Sequence, residues 1–291
     1  MQDDNKSGIL YLVATPIGNL EDMTYRAVRI LKEVDIIAAE DTRNSIKLLN
    51  HFEIKTPMTS YHEFNRYDKA DQLVGELLGG KDVAVITDAG TPGISDPGEV
   101  LVEKCYEQGI TVIPVPGAVA AINALIASGQ KTRRFCFEAF LPHDKKDRRS
   151  VLESLEKETR TIILYEAPHR LKETLGELAE CLGEDRGITL CKELTKKHES
   201  FMKTNLGQLI SFFKEEENSP RGEYVLVIEG RSEESILEEE KAKWEDISIK
   251  DHLLSYIEQG MNKKEAVKQV TQDRGISRRE VYAVSVELEV K

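Results

Sequence analysis

The sequence predicts an α/β protein with two α/β domains followed by a small all-helical module. Three features of the 291 residues indicate this. Apolar runs alternate with helical stripes of roughly 10–15 residues in the first part of the chain, which is the pattern of a parallel sheet. Further along, the apolar runs lie closer together, which predicts a mixed sheet. The last part is helical in pattern, so we expect domains at 8–125 and 126–231 and a module at 245–291.

Four buried strands are expected in the first domain at short, mainly apolar runs, the first of which ends at the turn signal Thr15-Pro16-Ile17-Gly18-Asn19. They are Ile9–Ala14, Asp35–Ala39, Val83–Thr87 and Ile110–Val115. Residues with apolar side chains at helical spacing predict helices at Thr24–Val34, Asn44–Phe52, Arg66–Leu78, Asp96–Gln108 and Val119–Ala127. Pro97 suits the first turn of the fourth helix, and Gly109 suits its C-terminal cap.

The second domain is expected to hold five strands and two helices. The strands are predicted at Phe135–Phe140, Thr161–Tyr165, Gly187–Cys191, Glu199–Lys203 and Glu223–Glu229. The helices are predicted at Lys145–Lys157 and near His169–Cys181. The Glu-rich segment Arg231–Trp244 indicates a linker or an exposed helix.

The C-terminal module is expected to contain three short helices, at Lys250–Gln259, Lys263–Thr271 and Arg278–Leu288. Asn262 can cap the second helix, and Ser277 with Glu280 forms the pattern of a capping box for the third. Three helices with tight turns are similar to a helix-turn-helix module, which would place Arg278 and Arg279 where such a helix meets nucleic acid. A small helical bundle packed on its own chain explains the pattern equally well.

Composition excludes several classes of protein. The net charge of −12 argues against an unspecific binder of polyanions, although Lys131–Arg149 holds seven basic and three acidic residues. The four cysteines are scattered and the six histidines dispersed, so we expect neither a disulfide framework nor a metal site. No apolar run reaches the roughly 18–20 residues of a membrane span, and Met1–Ser7 is too polar for a signal peptide. A cytoplasmic protein without a membrane partner is therefore expected.

The loops that follow the predicted strands are the candidate ligand site, because ligands of open parallel sheets bind beyond the carboxyl ends of the strands. These loops are rich in glycine, proline and small residues and lie at 15–20, 40–43, 87–98 and 115–118. The chain has no GxGxxG and no GxxxxGKT pattern, which disfavours a conventional dinucleotide fold or a P-loop. The long third loop exceeds what a turn and a helix cap require, so it favours ligand binding.

Five segments carry a resemblance to a known family: ATPIGNLEDMT, AAEDTRNS, TDAGTPGISDPG, VPGAVAAINAL and SPRGEYVLVIEG. In this order they resemble the tetrapyrrole (corrin/porphyrin) methylases, and among them the branch that methylates small-subunit ribosomal RNA, over about residues 8–230. The resemblance implies two α/β domains with S-adenosyl-L-methionine between them, and a homodimer. It also implies methylation of the ribose 2′-oxygen of a cytidine in the decoding region of 16S rRNA, with the small ribosomal subunit as partner.

The resemblance further implies which residues hold S-adenosyl-L-methionine. They are Pro16, Gly18, Asp88, Gly90, Thr91, Ile94, Ala118, Val119, Ala120, Tyr165 and Glu166. Val119 stands where serine is common in relatives, so we expect its backbone to make the contact. The third loop contains Asp88-Ala89-Gly90 where the small-molecule branch typically has Gly-Asp-Pro, which favours the RNA branch.

A ribose hydroxyl is a weak nucleophile, so a general base is expected at the same rim. The candidates are Glu40, Asp41, Lys192 and Glu193. For contacts with RNA phosphates, where the guanidinium fork fits, the candidates are Arg43, Arg170, Arg221, Arg278 and Arg279. Two alternatives remain open beside the rRNA methyltransferase: a tetrapyrrole (uroporphyrinogen or corrin) C-methyltransferase, and a non-catalytic regulator that binds nucleic acid through its helical tail.

Overall fold

The computed structural model describes residues 7–244 and 246–288. The chain divides into two compact units, of which the larger runs up to Leu155 and from Arg160 to Glu229. The smaller unit comprises Glu156–Thr159 and the chain from Gly230 onward. Residues 245 and 289–291 of the expected module lie outside the described residues, and the boundary expected at 125/126 stays a prediction.

The first sheet is entirely parallel, as the alternation of strands and helices predicts. Its strands are β1 (Leu10–Val13), β2 (Ile36–Ala39), β3 (Met58–Ser60), β4 (Val83–Ile86) and β5 (Val112–Val115). They pair in the order β3-β2-β4-β1-β5. The edge strand β3 is absent from the prediction because its three residues include Thr59 and Ser60 and form no apolar run.

Helices cover both faces of this sheet. They are α1 (Tyr25–Glu33), α2 (Thr42–His51), α3 (Arg66–Leu78) and α4 (Glu99–Glu107), with 3₁₀ turns at Leu20–Asp22 and Glu63–Asn65. On one face Leu73 and Leu101 pack against Val83, and on the other Leu31 and Leu49 are buried. The prediction for α3 is confirmed at both ends.

Helix α4 begins later than the sequence predicts, and Pro97 lies in the loop before it. Gly98 is the N-cap residue, and a Cβ built on it would lie 2.9 Å from the backbone nitrogen of Gly93. The segment therefore folds back on itself before the helix starts, with Ser95 at a positive φ of 64°. This close approach extends the loop after β4 across residues 87–98.

The second sheet is mixed, as predicted. It contains β6 (Phe135–Phe140), β7 (Thr161–Glu166), β8 (Gly187–Lys192), β9 (Ser200–Asn205) and β10 (Tyr224–Ile228) in the order β6-β7-β10-β8-β9. Its β6–β7 pair is parallel, and its other pairs are antiparallel. Four helices accompany it: α5 (Ala120–Ala127), α6 (Lys145–Leu155), α7 (Leu171–Leu182) and α8 (Leu206–Lys214).

Helices α8 and α5 differ from the sequence-based expectations. Helix α8 was missed because it follows β9 directly, at Asn205, whose side chain accepts a hydrogen bond from the Gln208 N–H at 2.8 Å. Helix α5 comes after the last strand of the first sheet but packs on the second. Its Ala124 and Leu125 lie in one cluster with Ile163 of β7.

The smaller unit contains α9 (Glu233–Ala242), α10 (Ile249–Glu258), α11 (Lys263–Arg274) and α12 (Arg278–Val286). Its buried core includes Leu253, Val267 and Val281, which come from three different helices. Asn262 caps α11 as predicted, and a full capping box with Glu265 is found there. Within the ranges that the structure describes, no helix has the length and apolar character that a bilayer span requires.

Candidate active site

The first and third strand-end loops are joined by backbone hydrogen bonds. The Thr15 N–H donates to the Gly90 carbonyl at 2.8 Å, and the Gly90 N–H donates back to the Thr15 carbonyl at 3.2 Å. The Thr15 hydroxyl also donates to the Thr87 carbonyl at 3.1 Å. Gly90 has φ of +89°, a conformation that side chains with a Cβ rarely adopt. The third loop is therefore fixed against β1.

The fourth loop is attached to the same assembly. The Thr91 hydroxyl donates to the Ala118 carbonyl at 3.0 Å. A Cβ built on Gly117 would lie 2.6 Å from the Cβ of Ala14, so glycine is required for this close approach. Three of the four predicted loops thus form one rigid rim, which matches the sequence-based expectation that they meet at one edge of the sheet.

A cavity of about 570 Å³ opens at this rim, within the larger unit, and residues from both sheets line it. The predicted residues that line it are Glu40, Asp88, Gly90, Thr91, Ile94, Val119, Ala120, Tyr165 and Glu166. The lining residues that the sequence did not single out are Ile17, Ala89, Ser95, Asp96, Phe140, Ala167, Pro168, His169, Glu223, Tyr224 and Val225. Many of these residues are adjacent in sequence to predicted residues, and this adjacency could have revealed them.

Three predicted cofactor residues are not among those that line the cavity. Ala118 accepts the hydrogen bond from Thr91 described above. Pro16 is half-buried beside the Thr15 bridge. Gly18 makes a close contact with the loop after β8, since a Cβ built on it would lie 2.3 Å from Cγ of Lys196. We infer that these three residues hold the first and fourth loops in place.

One wall of the cavity carries three carboxylates. The Asp88 N–H donates to Glu40 Oε2 at 3.3 Å, and Asp88 Oδ2 accepts from Asn44 Nδ2 at 3.0 Å. Burial raises the pKa of Asp96 to about 7, and the negative charges of Glu40 and Asp88 add to the shift. The wall therefore favours a positively charged ligand and contains a carboxyl group that titrates near neutral pH.

The second sheet contributes both aromatic rings and carboxylates to the cavity lining. Tyr165 and Phe140 meet edge to face with ring centroids 5.6 Å apart, and the Ala121 N–H donates to the Tyr165 hydroxyl oxygen at 3.0 Å. Glu166 is buried and accepts hydrogen bonds from the Thr174 hydroxyl and, at 2.8 Å, from the Ala167 N–H. These bonds fix the carboxylate of Glu166 in the cavity wall.

The four candidate bases occupy different environments. Glu40 lines the cavity. Asp41 caps α2, and hydrogen bonds from the Arg43 side chain and backbone lower its pKa to about 2, which makes it a weak proton acceptor. Hydrogen bonding by the Glu223 N–H, with help from Lys196, lowers the pKa of Glu193. Lys192 lines a separate cavity of about 320 Å³.

Asp96 was not among the candidate bases, although the sequence placed it both in the third loop, 87–98, and at the start of the helix predicted at Asp96–Gln108. In the structure Asp96 lies in the loop before α4 and lines the cavity with Glu40. The signal that could have revealed it is the unusual number of glycines and prolines around it, which favours a loop over a helix.

The candidate phosphate ligands are dispersed. Arg43 is 88% exposed in its side chain and pairs with Asp41 at 2.7 Å. The partly buried side chain of Arg170 donates to the Leu141 carbonyl at 3.0 Å and lines a charged cavity of about 800 Å³, whereas Arg221 lines the same cavity as Lys192. Arg278 and Arg279 are exposed in the first turn of α12, in the smaller unit.

The cavity suits S-adenosyl-L-methionine, which combines a sulfonium cation, an amino acid, two ribose hydroxyls and a flat base. Its volume falls within the roughly 300–1,000 Å³ of small-molecule sites. The carboxylates of Glu40, Asp88 and Asp96 can face the cationic and hydroxyl groups, and Ile94 and Tyr165 offer apolar contacts. Among the described residues no cluster of His, Cys, Asp and Glu could hold a metal ion.

Comparisons with known proteins agree with this site. Residues 9–210 match the family described as Tetrapyrrole (Corrin/Porphyrin) Methylases. Uroporphyrin-III-C-methyltransferase from Thermus thermophilus superimposes with a TM-score of 0.53 at 20% identity, covering 76% of this chain and 94% of that one. A diphthine synthase superimposes with a TM-score of 0.58 at 13% identity, covering 76% and 90%. At these identities the solved structures support the fold alone. The two sheets and the rim cavity thus define a methyltransferase of the tetrapyrrole methylase fold.

Three proteins named Ribosomal RNA small subunit methyltransferase I are far more similar in sequence. The one from Synechocystis sp. is 49% identical, covering 97% of this chain and 99% of that protein. The one from Bacillus subtilis is 50% identical, covering 94% and 93%, and the one from Escherichia coli O157:H7 is 42% identical, covering 98% and 96%. The chain belongs to the tetrapyrrole methylase family and, within it, to the group of small-subunit ribosomal RNA methyltransferases I. Methyltransferases of this family use S-adenosyl-L-methionine.

Proposed function

We propose that this chain transfers a methyl group from S-adenosyl-L-methionine to the ribose 2′-oxygen of a cytidine in the decoding region of 16S rRNA. The observation that carries the proposal is the cavity whose acidic wall comes from Glu40, Asp88 and Asp96, in a chain that is 49% identical to an rRNA methyltransferase over nearly its full length. An acidic cavity favours a cationic cofactor and leaves RNA phosphates to bind outside it.

The strand-end loops hold the cofactor in this proposal. The backbone of Gly90, Thr91, Ala118 and Val119 forms the rim, while Pro16 and Gly18 belong to the first loop, which hydrogen bonds between Thr15 and Gly90 join to it. When bound, S-adenosyl-L-methionine supplies an already activated methyl group, so the protein contributes mainly orientation.

The cavity carboxylates manage the proton of the ribose hydroxyl. In methyl transfer the bond between the methyl carbon and sulfur would break as the bond to the 2′-oxygen forms, which would leave S-adenosyl-L-homocysteine, and the hydroxyl proton would pass to a cavity carboxylate. Glu40 and Asp96 are positioned for this role, because both line the cavity. The pKa of about 7 makes Asp96 a better proton acceptor at neutral pH than an ordinary carboxylate.

The substrate is the small ribosomal subunit or its RNA, and the candidate phosphate contacts are Arg43, Arg170, Arg221 and, in the smaller unit, Arg278 and Arg279. We include a homodimer and a cytoplasmic location in the proposal, on the strength of the family resemblance. We propose two α/β domains at 8–125 and 126–231 and a helical module at 245–291.

Methyl transfer from tritiated S-adenosyl-L-methionine tests this function directly. The acceptors are unmethylated small subunits, 16S rRNA and uroporphyrinogen, and calorimetric titration of the cofactor provides a separate readout. Label in the RNA supports the proposal. Label in uroporphyrinogen instead supports a tetrapyrrole C-methyltransferase, and absence of cofactor binding supports a non-catalytic regulator.

A further inference from the structure

The loop after β3 places an unusually exposed aromatic side chain at the cavity edge of the first sheet. Phe64 is 97% exposed and Tyr67 is 59% exposed. Single exposed aromatic residues are common on protein surfaces, so exposure alone decides nothing. What distinguishes this pair is its place in the fold and the rigidity of the loop that presents it.

The sheet topology places this loop one strand from the loop that holds Glu40 and two strands from the loop that holds Asp88. Strand β3 pairs in parallel with β2, with Ser60 opposite Ala39, and β2 pairs in parallel with β4. Glu40 follows β2 directly, and Asp88 follows β4. Adjacent strands lie about 4.8 Å apart, so the loop after β3 lies at the same edge of the sheet as the loops that line the cavity.

Hydrogen bonds and burial hold the loop in one conformation. Tyr61 is buried, and its N–H donates to the Ala39 carbonyl at 2.8 Å. The His62 N–H donates to Asn65 Oδ1 at 2.8 Å, and the Asn65 side chain donates to the Ser60 carbonyl at 3.4 Å. A loop whose backbone is already ordered presents the Phe64 ring to a partner without a further loss of backbone entropy on binding.

The groups around Phe64 are those that contact single-stranded RNA. The guanidinium carbon of Arg66 lies 5.0 Å from the centre of the Tyr67 ring, and Arg66 also pairs with Glu63 at 2.6 Å. Unpaired bases stack on aromatic rings and on guanidinium planes, and every base offers such a face. A protein interface needs a larger continuous apolar area than two rings set among charged side chains.

We propose that Phe64, together with Tyr67 and Arg66, is a stacking surface for an unpaired base of the RNA next to the nucleotide that enters the cavity. The inference rests on the proposed function, because it assumes an RNA substrate. It adds a contact that none of the candidate phosphate ligands provides, since stacking recognises bases and not the backbone.

The test compares Phe64→Ala with Tyr106→Ala. Tyr106 is also strongly exposed, at 71%, but it lies at the end of α4 that leads to the start of β5, the opposite edge of the sheet. Unmethylated small ribosomal subunits are the RNA probe. We expect Phe64→Ala to weaken RNA affinity about 5- to 150-fold, the range for removal of one base stack, while Tyr106→Ala leaves it unchanged.

Further readouts separate stacking from a structural role. Cofactor affinity and the melting temperature of Phe64→Ala are expected to match wild type, because the ring is exposed. Phe64→Trp should bind RNA with an affinity close to that of wild type. RNA should also quench the fluorescence of the added indole, so the fluorescence of this variant should fall more on RNA binding than that of wild type. RNA affinity of Phe64→Ala equal to that of Tyr106→Ala overturns the inference, as does a change of oligomeric state in sedimentation. A wild-type protein that binds no RNA overturns the proposed function itself.

Discussion

Replacing Asp96 by asparagine should change cofactor binding and protein stability in opposite directions. The carboxyl group has a pKa of about 7 because it is buried beside Glu40 and Asp88 in the cavity wall. Above pH 7 its charge is unfavourable for the empty protein, since desolvation and the two neighbouring carboxylates oppose ionisation. The same charge is favourable once a sulfonium cation occupies the cavity.

The magnitude for binding follows from the ionised fraction. With a pKa of about 7, this fraction falls from about 0.9 at pH 8 to about 0.1 at pH 6, so cofactor affinity should fall about tenfold over that range. A carboxyl group with an ordinary pKa near 3.9 would produce no change there. In Asp96→Asn the affinity should be weaker at pH 8, and this component of the pH dependence should disappear.

The sign for stability is the reverse. A carboxyl whose pKa is raised on folding binds a proton in the native state that the unfolded state has lost. Stability should therefore fall as pH rises from about 4 to about 7. Asp96→Asn should then raise the melting temperature of the cofactor-free protein at pH 8 and leave it nearly unchanged at pH 4. The exposed Asp185→Asn is the matched control and should alter neither quantity.

Isothermal titration calorimetry and thermal melts across this pH range supply both measurements. Imidazoles and the amino group of the cofactor also titrate between about pH 6 and 8, so the informative quantity is the difference between wild type and Asp96→Asn. Equal pH dependence of affinity in both proteins, or a lower melting temperature for the variant at pH 8, would refute the assignment of Asp96 to a strained, cation-binding wall.

Three other perturbations have defined outcomes. Gly90→Val puts a β-branched residue at φ of +89° and should reduce cofactor affinity at least about tenfold by calorimetry, with wild-type affinity as the contrary result. The double variant Arg278→Ala/Arg279→Ala should reduce the slope of log RNA affinity against log salt concentration by about 0.7–0.9 per lost phosphate contact, without changing cofactor affinity. An unaltered slope would mean that the helical module has only a structural role. Burial lowers the pKa of His252, which stacks on Trp244, so acidification should protonate it only below about pH 6.5 and destabilise the smaller unit. Fluorescence of Trp244, the single tryptophan, follows this, and a midpoint at or above 6.5 would contradict it.

The parts of the fold that local sequence determines were predictable. Apolar runs ending in glycine and proline located the long strands, and helical periodicity gave α3 its observed limits. Strand β3 was not predictable in this way, because its pairing with β2 compensates for a short polar sequence. The start of α4 depends on a contact between Gly98 and Gly93, which no periodicity reveals.

The candidate site shows the same division. Glu40 and Asp88 were found because strand-end loops share one edge of a parallel sheet. Phe140 and His169 were missed, since they reach the cavity from the second sheet and sequence does not say which loops face each other. Arg170 was named as a candidate for phosphate contact from its charge alone, and the hydrogen bond that its guanidinium donates to the backbone carbonyl of Leu141 was not predictable. A sequence shows which residues are charged, but it does not show which group each charged side chain contacts.

The most direct test of the central claim is mass spectrometry of 16S rRNA from cells that lack this chain, complemented with wild type or with Asp88→Ala. The proposed function predicts that one cytidine lacks a ribose methyl group in the deletion strain. Wild type should restore that methyl group, and Asp88→Ala, altered at the cofactor cavity, should restore much less of it. Identical ribose methylation in the deletion and wild-type strains would contradict the account.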